Sequence, residues 1–146
     1  MAGLDNCLIK FARCCTPVPG DDIVGFIPRG FGVSVHRTDC RNHISSRLDP
    51  EEGGRWIEAS WADQTPGGYV TTLKVSSKNR SGLVMDVATA LNTLNAKVRS
   101  LAAREAGDGL ASITLSVEVD DLNELKLIMG RLSAVSGVTE VARSNG

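Results

Sequence analysis

The chain has 146 residues, a formal net charge of −1 and 42% hydrophobic residues. This length allows one ordinary domain or two small ones, and the near-neutral charge gives no bulk electrostatic reason to expect a nucleic-acid partner. No apolar run is long enough to span a bilayer and the first residues lack a secretory-signal pattern, so we expect a cytoplasmic protein without membrane contact.

The first sixty or so residues alternate short apolar runs with turns, which predicts a small α/β unit. Strands are predicted from Leu8 to Phe11, from Ile23 to Ile27 and from Val33 to Val35. A short helix capped by Thr38 or Asp39 should follow and end before Asp49-Pro50, ahead of a half-buried strand from Arg55 to Trp61. The core of so small a unit is marginal, so a bound metal would add stability.

Three cysteines and a histidine form the most distinctive cluster in this unit. Cys14-Cys15 precede a Thr-Pro-Val-Pro-Gly segment, and His36 and Cys40 lie four residues apart further on. Thiolates and imidazole are zinc ligands, and the spacing could place His36 and Cys40 on one face of a helical turn. Adjacent cysteines on a strand point to opposite faces, so both could reach one ion only at a turn, which the segment after them predicts.

The residues alone leave three interpretations of this cluster open. It could be a closed zinc site, a group of buried core thiols with a core histidine, or a disulfide between Cys40 and one of the pair. His43 lies outside the motif and is predicted to be a surface residue.

Arginines are concentrated near the same cluster. Between positions 29 and 47 the sequence has one acidic residue, Asp39, and four arginines: Arg29, Arg37, Arg41 and Arg47. Arginine suits phosphates and stacked bases, so Arg29, Arg37 and Arg41 are candidate RNA-binding residues. The alternative is a solubilising charged face.

A polar segment rich in turn-forming residues, 63–68, predicts a linker between a first domain of residues 1–62 and a second of residues 69–146. The second domain follows the order β-α-β-β-α-β. Its predicted strands are Tyr69 to Val75, Lys97 to Arg104, Ile113 to Val119 and Val138 to Arg143, with helices opening at Ser81-Gly82 and capped by Asp120-Asp121. This order predicts a ferredoxin-like fold with two helices on one face of an antiparallel sheet, and an α+β class overall.

The loop before the first helix of this domain is a candidate ligand site. It comprises Asn79, Arg80, Ser81, Gly82 and Leu83. The free N–H groups of a helix N-terminus can bind an anion such as an amino-acid carboxylate. The structural alternative is that Gly82 relieves a tight turn and Ser81 caps the helix.

Taken together, the two halves resemble the C-terminal regulatory region of the long RelA/SpoT homologues, the stringent-response enzymes that make and degrade (p)ppGpp. The resemblance is carried by the segments Cys14-Cys15-Thr16-Pro17-Val18-Pro19-Gly20-Asp21, Ile23-Val24-Gly25-Phe26-Ile27 and Gly30-Phe31-Gly32-Val33-Ser34-Val35-His36-Arg37-Thr38-Asp39-Cys40. The second half is similar to the ACT domain that follows in this family, so the resemblance covers nearly the whole chain.

The resemblance implies a zinc-finger or conserved-cysteine domain with Cys14, Cys15, His36 and Cys40 as zinc ligands. It also implies contact with the ribosome through ribosomal RNA, control of catalytic domains elsewhere in the parent protein, and a homodimer formed through the ACT domain. Some members of the family bind branched-chain amino acids at the loop that corresponds to residues 79–83 of this chain.

No stretch of the chain matches the family's synthetase or hydrolase domains, so we expect a non-catalytic regulatory fragment of a GTP pyrophosphokinase or (p)ppGpp hydrolase. One alternative is an amino-acid-sensing ACT homodimer. The other is a thiol enzyme using Cys14 or Cys15 with His36, although adjacent cysteines fit a closed metal site better than a single activated nucleophile.

Overall fold

The structure is a computed structural model that describes residues 9–28, 32–51, 53–61 and 68–144. Two four-stranded sheets and three α-helices make up this part of the chain, so the predicted α+β class is confirmed. Arg29 and most of the predicted linker lie outside the described residues. The division into domains of residues 1–62 and 69–146 therefore stays a prediction.

The first sheet is a mixed sheet of short strands. Its strands are β1 (Ile9–Phe11), β2 (Ile23–Phe26), β3 (Val33–Arg37) and β4 (Trp56–Glu58). Their order is β1-β3-β2-β4, with β1 parallel to β3 and the other pairs antiparallel. Helix α1 (Arg41–Ser46) follows β3, and one 3-10 turn (Gly53–Arg55) precedes β4, which is shorter than the strand predicted there.

Helix α1 differs from its prediction in its cap and in its buried face. Its N-cap is Cys40 rather than Thr38 or Asp39. His43, predicted to be a surface residue, is 8% exposed, and its Nδ1 donates to the Thr38 carbonyl oxygen at 2.8 Å. That prediction was wrong because it rested only on the position of His43 outside the Cys/His motif, which does not determine how the side chain packs. The imidazole packs against Trp56 instead.

The second sheet confirms the predicted β-α-β-β-α-β order. The elements are β5 (Tyr69–Lys78), α2 (Leu83–Thr93), β6 (Lys97–Gly107), β7 (Leu110–Val119), α3 (Leu122–Ser133) and β8 (Val138–Arg143). The strand order is β6-β7-β5-β8 and every pair is antiparallel. Asp108 and Gly109, both at positive φ, form the tight turn between β6 and β7, as a two-residue hairpin requires.

Helix α3 begins with a reciprocal cap predicted from its aspartates. Asp121 accepts a hydrogen bond from the Glu124 N–H at 2.9 Å, and the Glu124 carboxylate accepts one from the Asp120 N–H at 2.6 Å. These contacts satisfy donors that the helix leaves unpaired. Below this helix lies an aliphatic core that includes the fully buried Leu125 and Leu132.

The first unit contributes directly to the core of the second. Val18 is fully buried among the core residues of the β5-to-β8 unit. The Pro19 carbonyl accepts the Leu122 N–H at 2.7 Å, and the Thr16 and Thr71 hydroxyls are 2.8 Å apart. The segment after the cysteine pair is therefore an interface between the two units as well as a turn.

Candidate metal centre

The four predicted ligands come together in space. The ligand atoms of Cys14, Cys15, His36 and Cys40 all lie within 4.8 Å of one another. Cys14 Sγ is 4.0 Å from Cys15 Sγ, 3.5 Å from Cys40 Sγ and 3.4 Å from His36 Nδ1. His36 Nδ1 is also 3.8 Å from Cys15 Sγ and 3.6 Å from Cys40 Sγ.

These separations match the edges of a metal-centred tetrahedron. Zinc–sulfur bonds of about 2.3 Å and zinc–nitrogen bonds of about 2.0 Å place two sulfurs about 3.8 Å apart and a sulfur and nitrogen about 3.6 Å apart. The Cys/His cluster could therefore hold a metal ion. All four protein donors would be used, which is the pattern of a structural site with no position left for substrate.

The chain turns at the cysteine pair itself, slightly earlier than predicted. The Thr16 N–H donates to the Ala12 carbonyl oxygen at 2.9 Å, which closes a turn around Arg13, Cys14 and Cys15. This turn brings neighbouring side chains to the same point, which a regular strand cannot do. On the other side, His36 lies in β3, which ends at Arg37, and Cys40 is the N-cap of α1. The short connection between β3 and α1 therefore brings His36 and Cys40 together.

Burial favours the neutral forms of two of the four residues, Cys15 and His36. Burial raises the pKa of the Cys15 thiol to about 12, although a hydrogen bond from the Arg37 N–H opposes this. Burial, followed by the charge of nearby His43, lowers the pKa of His36. A neutral imidazole is the form that binds metal, and a cation at the centre would convert the thiols to thiolates. A raised thiol pKa is the opposite of what a cysteine nucleophile needs.

Aromatic packing around Trp56 lies next to the Cys/His cluster, through the contact of Trp56 with His36. The ring of Trp56 meets the rings of His36, His43 and Phe26 at centroid distances of 5.2, 4.7 and 4.7 Å. Phe26, His36 and Trp56, with polar residues of α1 and Asp49 beyond it, border a cavity of about 470 Å³. Trp56 was not among the residues predicted for this site, because its packing depends on contacts between segments that are distant along the chain.

The two described candidate RNA-binding arginines, Arg37 and Arg41, lie in different surroundings. Arg37 is 6% exposed, and its guanidinium donates to the Ser144 carbonyl oxygen at 2.7 Å and lies 3.6 Å from Asp39. It is thus directed into the interface between the units. Arg41 lies exposed at the first position of α1, and Arg29 lies outside the described residues.

The candidate ligand loop of the second unit borders a separate cavity of about 400 Å³. Asn79, Arg80, Gly82 and Leu83 line it together with residues of β6 and β7, while Ser81 is exposed beside it. Gly82 is the N-cap of α2 at φ +79°, and no side chain caps this helix. Predicted capping by Ser81 does not occur.

Arg80 is held by the protein itself. Its Nε donates to the Ser136 carbonyl oxygen at 2.8 Å, its Nη1 to the Ser81 carbonyl oxygen at 3.0 Å and its Nη2 to Asp86 at 2.7 Å. The guanidinium therefore stabilises the loop. The Leu83 N–H donates to the Arg80 carbonyl oxygen at 3.4 Å, and the next residues of α2, Val84 and Met85, also line the cavity.

Comparison with known proteins assigns both units. Residues 1–62 match the RelA/SpoT RIS domain, and residues 65–143 match the ACT domain. The chain is 37% identical over 145 residues to GTP pyrophosphokinase of Escherichia coli strain K12, covering 99% of this chain and 19% of that protein. It is 38% identical over 141 residues to the bifunctional (p)ppGpp synthase/hydrolase RelA of Mycobacterium tuberculosis, covering 97% and 19%.

A crystal structure of the ACT domain from GTP pyrophosphokinase of Chlorobium tepidum aligns with a TM-score of 0.47 and 20% identity, over 52% of this chain and 97% of that one. The chain spans about a fifth of the length of the curated relatives named above. Their catalytic activities therefore belong to proteins much longer than this one.

The βαββαβ unit matches the ACT domain, so the chain contains an ACT domain in addition to the Cys/His cluster. The family matches place it more narrowly: the chain belongs to the RelA/SpoT family and corresponds to the C-terminal RIS and ACT region of its members. The sequence resemblance is confirmed at this level.

Proposed function

We propose that this chain is a non-catalytic regulatory fragment of a (p)ppGpp synthetase/hydrolase, in which zinc stabilises the RIS unit. The observation that carries the proposal is the tetrahedral spacing of Cys14, Cys15, His36 and Cys40. The closed set leaves no open position for substrate, so zinc would fix the shape of the unit. Regulation would then depend on the surfaces that this centre positions.

The proposed partner of the RIS unit is ribosomal RNA, in a cytoplasmic complex with the ribosome. Support comes from exposed basic side chains that lie near the four cluster residues in sequence: Lys10, Arg13, Arg41 and Arg47. These lie on both sides of the cluster along the chain, so a zinc-fixed unit could present them as one surface to phosphates. The guanidinium of Arg37 is buried at the interface between the units, so Arg37 would support RNA binding indirectly. Arg29 remains a proposed RNA-binding residue on the basis of the sequence alone.

The test is cosedimentation of the parent enzyme with ribosomes over a range of salt concentrations. Arg41→Glu, alone and with Arg29→Glu, is compared with the control Arg131→Glu on the exposed surface of α3. Each lost phosphate contact should weaken binding and reduce the slope of log affinity against log salt by about one. Binding that remains equal to the control at physiological salt would refute the RNA surface.

The parent's catalytic domains are the proposed recipients of the signal. The RIS–ACT interface supports this role because Val18 of the RIS unit is buried in the core of the ACT unit, which attaches the two regulatory units to each other. A ribosome contact on the first unit could then alter the orientation of the second relative to the rest of the parent.

A second proposed function is amino-acid binding by an ACT homodimer. It is supported by the 400 Å³ cavity, where the uncapped α2 N-terminus lies beside the apolar residues Leu83, Val84 and Ala103. The helix N–H groups suit a carboxylate, and the apolar lining suits a branched side chain. Strand β6 is exposed along the sheet edge and offers a surface for a second copy.

Calorimetry with valine, isoleucine and leucine tests this second function, with lysine as the control ligand because its charged side chain suits the apolar lining poorly. Heat and thermal stabilisation with the branched amino acids alone would support it. No response to any of them would remove it. Sedimentation of the whole chain, with and without ligand, tests the homodimer.

A further inference from the structure

Ser144, just after β8 of the ACT unit, contacts both ligand-bearing segments of the metal centre. Its Oγ donates to the Cys14 carbonyl oxygen at 3.1 Å. Its own carbonyl oxygen accepts from Nη2 of Arg37, the residue after His36, at 2.7 Å. Ser144 is fixed to β5, because its N–H donates to the Thr72 carbonyl oxygen at 3.0 Å.

Arg143 fixes the chain immediately after the cysteine pair. Its Nη2 donates to the Thr16 carbonyl oxygen at 2.9 Å. Both of its Nη atoms also contact the Asp21 carboxylate, at 2.6 and 2.9 Å. The side chains of Arg143 and Asp21 are only 10% and 8% exposed, so water competes little for these bonds.

Thr16 itself has a backbone conformation that needs external support. Its φ is +42°, in the left-handed region that β-branched residues rarely adopt. The Thr16 hydroxyl contacts the Thr71 hydroxyl at 2.8 Å and accepts the Thr72 N–H at 3.3 Å. The ACT sheet therefore stabilises the turn that brings Cys14 and Cys15 to one point.

We propose that Arg143, Ser144 and Thr71 of the ACT unit are positioning residues of the metal centre, so that metal affinity and the docking of the two units are coupled. The inference rests on the proposed zinc site. Groups that orient metal ligands without touching the metal commonly control affinity. By thermodynamic linkage, a partner that detaches the ACT unit would weaken metal binding, and metal loss would weaken docking by the same factor.

The decisive measurement is the zinc affinity of the whole chain, by competition with a chromogenic chelator. Arg143→Met and Ser144→Ala are compared with Arg131→Met, the same replacement on an exposed site of α3. Arg143→Met should weaken zinc binding by about 10-fold, the lower end of the range for groups bonded directly to metal ligands, because Arg143 contacts Thr16 and Asp21 rather than a ligand. Ser144→Ala should weaken it less, because the Arg37 contact to the Ser144 carbonyl remains, and Arg131→Met should leave it unchanged.

A conservative pair separates positioning from general stability. Thr16→Ser retains the hydroxyl that meets Thr71, and Thr16→Val removes it with little change in volume. The affinity of Thr16→Ser should remain near wild type, while Thr16→Val should bind zinc more weakly. With cobalt in place of zinc, the visible absorption of the folded variants reports whether the ligands keep a tetrahedral arrangement.

Folding is checked by circular dichroism before each titration. If Arg143→Met does not fold, Ser144→Ala and the Thr16 pair decide the question. Folded variants that all bind zinc as tightly as wild type would overturn the coupling and leave the zinc site intact. A folded wild type that takes up no zinc would overturn both.

Discussion

Arg143 and Asp21 form a buried ion pair that joins the ACT unit to the RIS unit across 122 positions of the chain. Asp21 also accepts the Val18 N–H at 2.8 Å, so its carboxylate shapes the loop that inserts Val18 into the ACT core. One carboxylate thus organises the loop locally and attaches it to the neighbouring unit. Its two roles make the pair a sensitive point for the stability of the interface.

Arg143→Met should lower the free energy of unfolding by about 3–5 kcal/mol, because it leaves a buried carboxylate without its partner. Urea denaturation followed by circular dichroism measures the change. The matched control is Arg99→Met, which removes an exposed arginine from Glu118 and should cost about 0–1 kcal/mol.

The double variant Arg143→Met with Asp21→Asn should be more stable than Arg143→Met alone. Asparagine removes the unpaired charge and retains an oxygen for the Val18 N–H. Equal stability of Arg143→Met and Arg99→Met would contradict the interpretation that this pair is a buried interface contact.

Local patterns of the sequence were sufficient to predict the elements of the ACT unit and the four residues that meet in the Cys/His cluster. Helical and strand periodicity located the ACT elements, because their apolar faces are long enough for spacing to be informative. The cluster was predicted because its donor types and spacing are chemically specific. Spacing did not select the buried side of the short helix α1, where His43 rather than Ile44 is buried.

The interface could not be predicted because it joins segments that are distant along the chain. Nothing local distinguishes Val18 from a valine in an exposed turn, or Ser144 from an ordinary residue near the end of the chain. Arg37 illustrates the same limit: its position in a basic stretch indicated RNA contact, yet its guanidinium is directed to Ser144. Only the packing of the two units determines these roles.

Gly20 permits the close approach of the two units. Its φ is +106°, and a Cβ added there would lie 2.8 Å from Leu122 Cβ. Gly20→Ala should lower stability by about 1–3 kcal/mol through backbone strain alone, with displacement of α3 adding to this. Thermal and urea unfolding measure the effect. Gly54→Ala is the control because nothing lies within 4 Å of the added Cβ, and equal stability of the two variants would contradict this account.

Glu118 should make a small acid-sensitive contribution to ACT stability. A hydrogen bond from Arg99 at 2.8 Å, with the nearby charge of Lys97, lowers the pKa of Glu118 below 4.5. Because the folded-state pKa is lowered, the stabilisation is present above pH 4.5 and is lost as pH falls through the folded value.

The melting temperature of wild type should therefore exceed that of Glu118→Gln near neutral pH, and the difference should shrink below pH 4.5 and vanish once Glu118 is protonated. High salt should also reduce the difference, since Arg99 and Lys97 are exposed. Glu140→Gln, an exposed change on β8, is the control. A difference that persists unchanged in acid would show that ionisation of Glu118 is not its source.

Cys40→Ser should remove bound metal while preserving the start of α1. Cys40 is the N-cap of this helix and provides no side-chain cap, whereas serine is a favoured N-cap residue. Any loss of stability in this variant therefore arises at the buried Cys/His cluster and not from a weakened helix cap. Elemental analysis of protein purified without chelator should find about one zinc per wild-type chain and essentially none in Cys40→Ser.

The RIS unit of Cys40→Ser should unfold at a lower temperature than that of wild type, because the metal stabilises a unit with a small core. Fluorescence of Trp56, which packs against His36, reports this transition, and Trp61→Phe simplifies the signal. Cys7→Ser serves as the control cysteine replacement and should retain zinc. Metal-free wild type with an unchanged RIS transition would show that the four ligands fold as an ordinary core cluster.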